Sequence, residues 1–307
     1  MNTKIKVYID QNVISNFYGK PLGFTVPNTF QIVYSPALFD DFRVSKNPEF
    51  HLNTLKNLDA CMVYFDAGDT PKFNKDETVE KLFQKNEQWR QETLVDECTL
   101  DELRAMSSSG RGFESSKKEW DRYIAAQLKK AAANNNHLGV MALKVIDQKM
   151  NENFQTLKRT GETKLGVSLP GVVNSDNYTP PDALKKLWED TADKNLHPTP
   201  EDYFGFVWPN GKPFPRLTAF DTCCGIFDRY EFLAEPKRKK PKSQKNVQND
   251  AKHLAYATTC DFLISSDKNL IKRALVIYSH FQYHCKPVWL DPTTPIDCST
   301  LEQLEES

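Results

Sequence analysis

The chain is 307 residues long, enough for two domains, or for one domain enlarged by an insertion, around a full core. A formal net charge of −1 with 26% charged residues excludes a global field for nucleic acid, so any such contact has to come from local patches. No apolar run approaches the roughly 20 residues that a membrane span needs, and seven cysteines with neither a CxxC pair nor a signal peptide are expected of reduced thiols in a cytoplasmic protein.

In chain order, IKVYI at residues 5–9 has strand content, Asp10 follows it at once, and NVISNFY from Asn12 begins a helix. Residues 19–28 are a Gly/Pro loop by content. TFQIVY at residues 29–34 reads as a second strand and residues 36–43 as the start of a helix. Leu52, Leu55 and Leu58 form a helical stripe, and MVYF at residues 62–65 is a short strand or a buried turn. Residues 76–104 are charged, punctuated by Leu and Phe and free of Gly and Pro, which predicts one or two amphipathic helices. SSSGRG at residues 107–112 breaks that pattern and residues 113–157 resume it, with Trp120, Ile124 and Leu128 at helical spacing. Residues 66–159 therefore read as a helical insertion.

Residues 160–216 are punctuated by proline yet keep Trp188, Tyr203, Phe204, Phe206, Trp208 and Phe214. Such aromatics beside Lys212 and Arg216 either stack on unpaired bases or pack this excursion onto the body; packing is the expectation, because true linkers are seldom so aromatic. A helical pattern over residues 217–233 leads to KRKKPKSQK, whose basic residues are Lys237, Arg238, Lys239, Lys240, Lys242 and Lys245. This run is either a solvated loop or, since it ends five residues before Asp250, a holder of phosphate backbone.

From Asp250, placed as an N-cap, Ala251, Leu254, Ala255 and Ala257 give a buried helical stripe. FLIS is a strand, Ser265, Ser266 and Asp267 an acidic turn, and KNLIKRALVIY a second helix. His280 and His284 are four apart beside Cys285, which invites a zinc site, but no matching Cys/His pair exists elsewhere and two ordinary histidines are expected. PVWL at residues 287–290 is the final strand.

Two strand–Asp–helix units at opposite ends of the chain suggest neighbours in space, because ligand-binding groups of open α/β sheets collect at the carboxyl ends of the strands. Clustered carboxylates repel unless protons or cations intervene, and the usual cation is a hard one such as Mg²⁺ or Mn²⁺. IDQN, NDAKHLAYA and CDFLISSD resemble the first, third and fourth acidic motifs of PIN-like nuclease domains. IVYSPALFDDF is similar to the second, a strand ending in serine (Ser35) before a helix with Asp41 in the acidic position, where the family more often has glutamate; the adjacent Asp40 is the substitute. Asn12 and Ser265 match supporting polar positions of the family, and His253 falls where related sequences often carry histidine, either to touch substrate or to cap the first turn of the helix. The resemblance spans roughly residues 4–60 and 217–292, somewhat under half the chain.

The resemblance implies an α/β fold: a PIN-like three-layer α/β/α core with a central parallel sheet from residues 1–65 and 217–292, a large helical and Pro/aromatic-rich insertion at 66–216, and a C-terminal tail at 293–307. Asp10, Asp41, Asp250 and Asp267 would hold one or two Mg²⁺ or Mn²⁺ ions, with Asn12 and Ser265 fixing carboxylate rotamers. The implied activity is hydrolysis of nucleic-acid phosphodiesters, RNA ahead of DNA, by an attacking water. The role would be that of a toxin-like or phage-defence enzyme held by a protein inhibitor, or of an RNA-processing enzyme with a recruiting partner. Two alternatives stand beside it: a catalytically weakened PIN-like module that binds RNA or protein, and a haloacid-dehalogenase-type phosphatase, whose pattern wants a second aspartate where this chain has Asn12.

Overall fold

The computed structural model describes residues 4–15, 26–93, 180–207, 211–229, 232–233, 242–293 and 301–302, with scattered positions between 121 and 151. Strands β1 (Ile5–Ile9), β2 (Phe30–Tyr34), β3 (Cys61–Phe65), β4 (Pro71–Asn74), β5 (Phe262–Ser265) and β6 (Lys286–Trp289) form one sheet. Their order is β4-β3-β2-β1-β5-β6, and every pairing is parallel except β3 with β4. A largely parallel sheet needs helices on both faces, so its central strands are mostly apolar rather than alternating, with Lys6, Gln31 and Ser265 as the polar members of β1, β2 and β5. All of β2 and β5 is buried accordingly.

On one face, Val7, Ile9, Phe30, Ile32 and Ile264 pack against Val13 of α1 (Gln11–Ser15), Leu38 and Phe42 of α2 (Pro36–Val44), and Leu55 of α3 (Pro48–Asn57). On the other, Tyr8 meets α8 (Lys242–Ala257), whose Leu254 carbonyl accepts the Tyr278 hydroxyl of α9 (Lys268–Phe281) at 2.6 Å. The chain is thus an α/β protein with a six-stranded, mostly parallel central sheet.

Two compact units divide the chain. The first comprises residues 1–88, 176–224 and 249–307; the second comprises residues 89–175 and 225–248. The first holds the whole sheet, including β4, a strand that the helical reading of residues 66–159 did not foresee. β4 is four residues long and only partly buried, so its sequence carries little pattern, and pairing with β3 decides its conformation. Residues 66–88 and 176–216, assigned from sequence to the insertion, also fall in the first unit, as does Leu301 of the tail, which is buried in its core. Within the amphipathic stretch, α4 (Val79–Thr93) forms as expected. In the second unit, the described residues between 121 and 151 are helical, and Phe227 and Phe232 meet edge to face at 5.0 Å.

The described part of the proline-rich excursion, residues 180–207 and 211–216, packs within the first unit. Leu184 and Leu187 of α5 (Ala183–Thr191) and Phe204, just after α6 (Pro200–Tyr203), are buried. Gly205 has φ +77°, and a Cβ there would come within 2.8 Å of Thr222 in α7 (Arg216–Arg229), so only glycine allows this approach. It lets Phe206 lie across Phe220 and stack on Phe281 with ring centroids 3.7 Å apart. Arg216 is occupied too: it lies over the Phe65 ring, bonds Thr258 at 3.0 Å and faces Asp69 at 3.8 Å.

Candidate functional site

β1 lies between β2 and β5, and the chain leaves it in one direction for β2 and β3 and returns on its other side for β5 and β6. The carboxyl ends of β1 and β5 therefore form the switch point at which open α/β sheets place their ligands. Asp10 follows β1, and Ser265 ends β5 with Asp267 two residues on. Both aspartates act as helix caps. Asp10 Oδ1 accepts the Val13 amide of α1 at 3.1 Å, and Asp267 Oδ1 accepts the amides of Asn269 and Leu270 at the start of α9 at 2.7 and 3.1 Å. The capping role and a role in a site are thus compatible: the cap is what fixes each carboxylate at the sheet end.

One hydroxyl ties these two aspartate turns together. Ser265 Oγ donates to Asp10 Oδ2 at 2.5 Å and accepts the Asp267 amide at 2.9 Å, while Asn12 Nδ2 donates to the same Asp10 oxygen at 3.3 Å. Asp10 is 3% exposed. Burial raises its pKa above the usual carboxylate value; the Ser265 bond, the charge of His253 and the Val13 amide work against that rise, and the charge of Asp41 adds to it.

A second cluster is built from α2 and α8. Asp41 Oδ1 accepts Asn249 Nδ2 at 2.5 Å and Asp41 Oδ2 faces His253 Nε2 at 2.9 Å. A carboxylate can only accept, so Nε2 carries the hydrogen of that bond. His253 Nδ1 faces the Tyr8 hydroxyl at 2.7 Å, and that hydroxyl also meets Ser35 Oγ at 2.6 Å. The chain Ser35, Tyr8, His253, Asp41 joins β1, α2 and α8 through groups of which the first three are buried. Burial alone would lower the His253 pKa, but the hydrogen bond to Asp41 and the charges of Asp41, Asp10 and Asp250 raise it overall. Three of the four expected acids are therefore felt at one imidazole, while the fourth, Asp267, meets Ser265 only through its backbone amide and turns its carboxylate to the start of α9.

Asp40 lies apart from this cluster. It bonds Arg43 at 2.7 Å and Lys252 at 3.4 Å, and Arg43 in turn bonds Glu87. Adjacent residues on a helix point about 100° apart, which is why Asp41 meets α8 at His253 while Asp40 meets two basic side chains.

Several expectations need correction. Asp250 is not an N-cap, because α8 begins at Lys242 and runs through it; residues 242–248 contain neither glycine nor proline to stop the helix. Lys242 and Lys245 are accordingly helical rather than part of a loop, with side chains outside the described residues, as are Lys237, Arg238, Lys239 and Lys240 altogether. His280 lies on α9 and His284 beyond it, since α9 ends at Phe281 and Gln282 turns left-handed at φ 54°. His280 faces Glu201 at 3.4 Å and His284 faces Asp261 at 4.0 Å. The described cysteines Cys61, Cys223, Cys224, Cys260 and Cys285 are buried free thiols.

Tyr8 and Asn249 were not singled out from sequence as site residues. A signal was there: Tyr8 is two residues from Asp10 on one strand face, and Asn249 is four from His253 on one helix face. Among the described residues, no group of three or more His, Cys, Asp or Glu stands ready to hold a metal ion. Asp10 and Asp267 carry the oxygen donors that Mg²⁺ takes, commonly one or two carboxylates with water and phosphate completing its shell, while the Ser265 hydroxyl is spent on Asp10 and on the Asp267 amide. No protein-family model, curated protein or solved structure matches this chain.

Proposed function

We propose that this protein is a Mg²⁺- or Mn²⁺-dependent nuclease with a PIN-like three-layer core, an endoribonuclease that hydrolyses RNA phosphodiester bonds in the cytoplasm. The observation that carries the reading is Asp10: a carboxylate buried at the switch point of the sheet, held by neutral donors, beside an imidazole that also feels Asp41 and Asp250. Burying such a group is costly, and a divalent cation together with substrate phosphate relieves that cost.

Asp10 and Asp267, with Asp250 alongside, are the residues that would hold the cation, which when bound supplies charge for the attacking and leaving oxygens and an activated water. Ser265 and Asn12 keep the Asp10 carboxylate in one rotamer. His253 and Asn249 hold Asp41 at the side of the cluster, and Tyr8 fixes the imidazole from behind. No side chain needs to form a covalent intermediate. Lys237, Arg238, Lys239, Lys240, Lys242 and Lys245 supply backbone phosphate contacts, and a protein inhibitor or recruiting partner sets where and when RNA is cut.

The test is cleavage of labelled single-stranded RNA, structured RNA and single-stranded DNA in Mn²⁺, Mg²⁺ and EDTA, with Asp250→Asn beside wild type. Metal-dependent cutting of RNA that the substitution abolishes is the expected result. Equal cutting by both proteins would remove Asp250 from the site. One observation favours a second reading, a PIN-like module that binds RNA without cutting: both Asp41 oxygens are engaged by α8. Tight RNA binding with no cleavage in Mn²⁺ would decide for it.

A further inference from the structure

The nuclease reading leaves open what holds the nucleotides beside the scissile phosphate, and the inference rests on that reading. Trp289 ends β6 and is 38% exposed. It is in register with Ser265, so the two side chains leave the same face of the sheet. Ser265 is the residue bonded to Asp10, which places Trp289 two strands from Asp10, roughly 10 Å at ordinary strand spacing.

The indole is held along its edge and carries an exposed lysine over one face. Its Nε1–H donates to the Ser266 carbonyl at 3.2 Å, and Lys268 Nζ lies 4.4 Å from the ring centroid. Lys268 is exposed and is the first residue of α9, directly after Asp267. We propose that Trp289 and Lys268 form a nucleotide platform for single-stranded nucleic acid: an unpaired base stacks on the indole while Lys268 swings from the ring to a neighbouring phosphate. Base stacking on an aromatic face outweighs an exposed cation–π pair, and ammonium gains a charge-assisted bond to phosphate in the exchange.

A comparable pair at the opposite edge of the sheet provides a control. Phe73 of β4, three strands from β1, is 38% exposed and lies under Lys6. The experiment is equilibrium binding of a labelled single-stranded RNA oligonucleotide of mixed sequence to the full chain in EDTA over a salt series, followed by cleavage kinetics in Mn²⁺. Trp289→Leu keeps an apolar side chain without a π face and is expected to weaken binding about tenfold, whereas Trp289→Phe stays within about threefold of wild type. Lys268→Gln lowers the salt slope by about one, and Phe73→Leu binds as wild type does.

The platform is overturned if Trp289→Leu binds as tightly as wild type, or if Trp289→Leu and Trp289→Phe lose binding equally. Wild type that binds no RNA overturns both the platform and the nuclease reading. RNA that is cut with the same KM by wild type and Trp289→Leu leaves the nuclease and removes the platform. The expected binding series without any cutting in Mn²⁺ upholds the platform and removes the nuclease.

Discussion

Asp10 and Asp41 lie at the same end of the same sheet, yet they are balanced in different ways. Around Asp10 the bonding partners are an amide, a hydroxyl and a carboxamide, all neutral, and burial raises its pKa. Around Asp41 the partners are a carboxamide and an imidazole whose own pKa is raised, so part of its charge is answered within the protein. A carboxylate left among neutral donors retains a demand for positive charge that a cation can meet. One that is answered by histidine is first of all a structural partner of that histidine.

The comparison breaks most sharply at Asp10. Asp10→Asn should lower metal-dependent cleavage about 10³-fold, as loss of a preorganised charge in a site does, which single-turnover kinetics would measure. The same substitution should leave thermal stability at neutral pH equal to or above wild type. Asp10 binds its proton more tightly when folded than when unfolded, so the ionised group costs stability above its unfolded pKa, and the difference from Asn should shrink as pH falls through the folded value. Melting curves across acidic pH check that sign, and a variant that melts well below wild type at neutral pH would contradict it.

The Asp41 side responds in stability first. Tyr8→Phe removes a hydroxyl that faces both Ser35 and His253, leaving two buried polar groups short of a partner, and should cost about 1–3 kcal/mol by denaturant unfolding. His253→Gln probes the pair from the other end. The His253 pKa is raised in the folded chain, so its pairing with Asp41 stabilises fully below the unfolded histidine value and fades as pH rises through the folded one. The stability difference between wild type and His253→Gln, about 1–3 kcal/mol at acidic pH, should therefore narrow as the medium becomes alkaline. The smallest effect belongs to His284→Ala: at 64% exposure and 4.0 Å from Asp261, this side chain should change stability by less than about 0.5 kcal/mol, and activity should be indifferent to zinc.

The strands that lie in the sheet interior were legible because a buried parallel strand is apolar over most of its length, as VYI in β1 and FLI in β5 are. Asp10 and Asp267 were legible for a related reason: a carboxylate between a strand and a helix is a cap whatever else it does. The start of α8 was hidden because charged residues such as Lys242 and Lys245 are good helix formers that give no apolar stripe. β4 was hidden because an edge strand half open to solvent needs no pattern of its own.

By itself, the sequence determined the two strand–Asp–helix units and the burial of their strands; that Asn249 shares a helix face with His253 came with the early start of α8. Only the tertiary structure decided that Asp41 rather than Asp40 turns toward His253, that Tyr8 closes the chain behind the imidazole, and that Trp289 stands two strands from Asp10. Local periodicity records which residues are buried. Which buried polar groups meet depends on the pairing of β1 with β5 and the packing of α2 against α8, contacts between segments more than 200 residues apart in the chain.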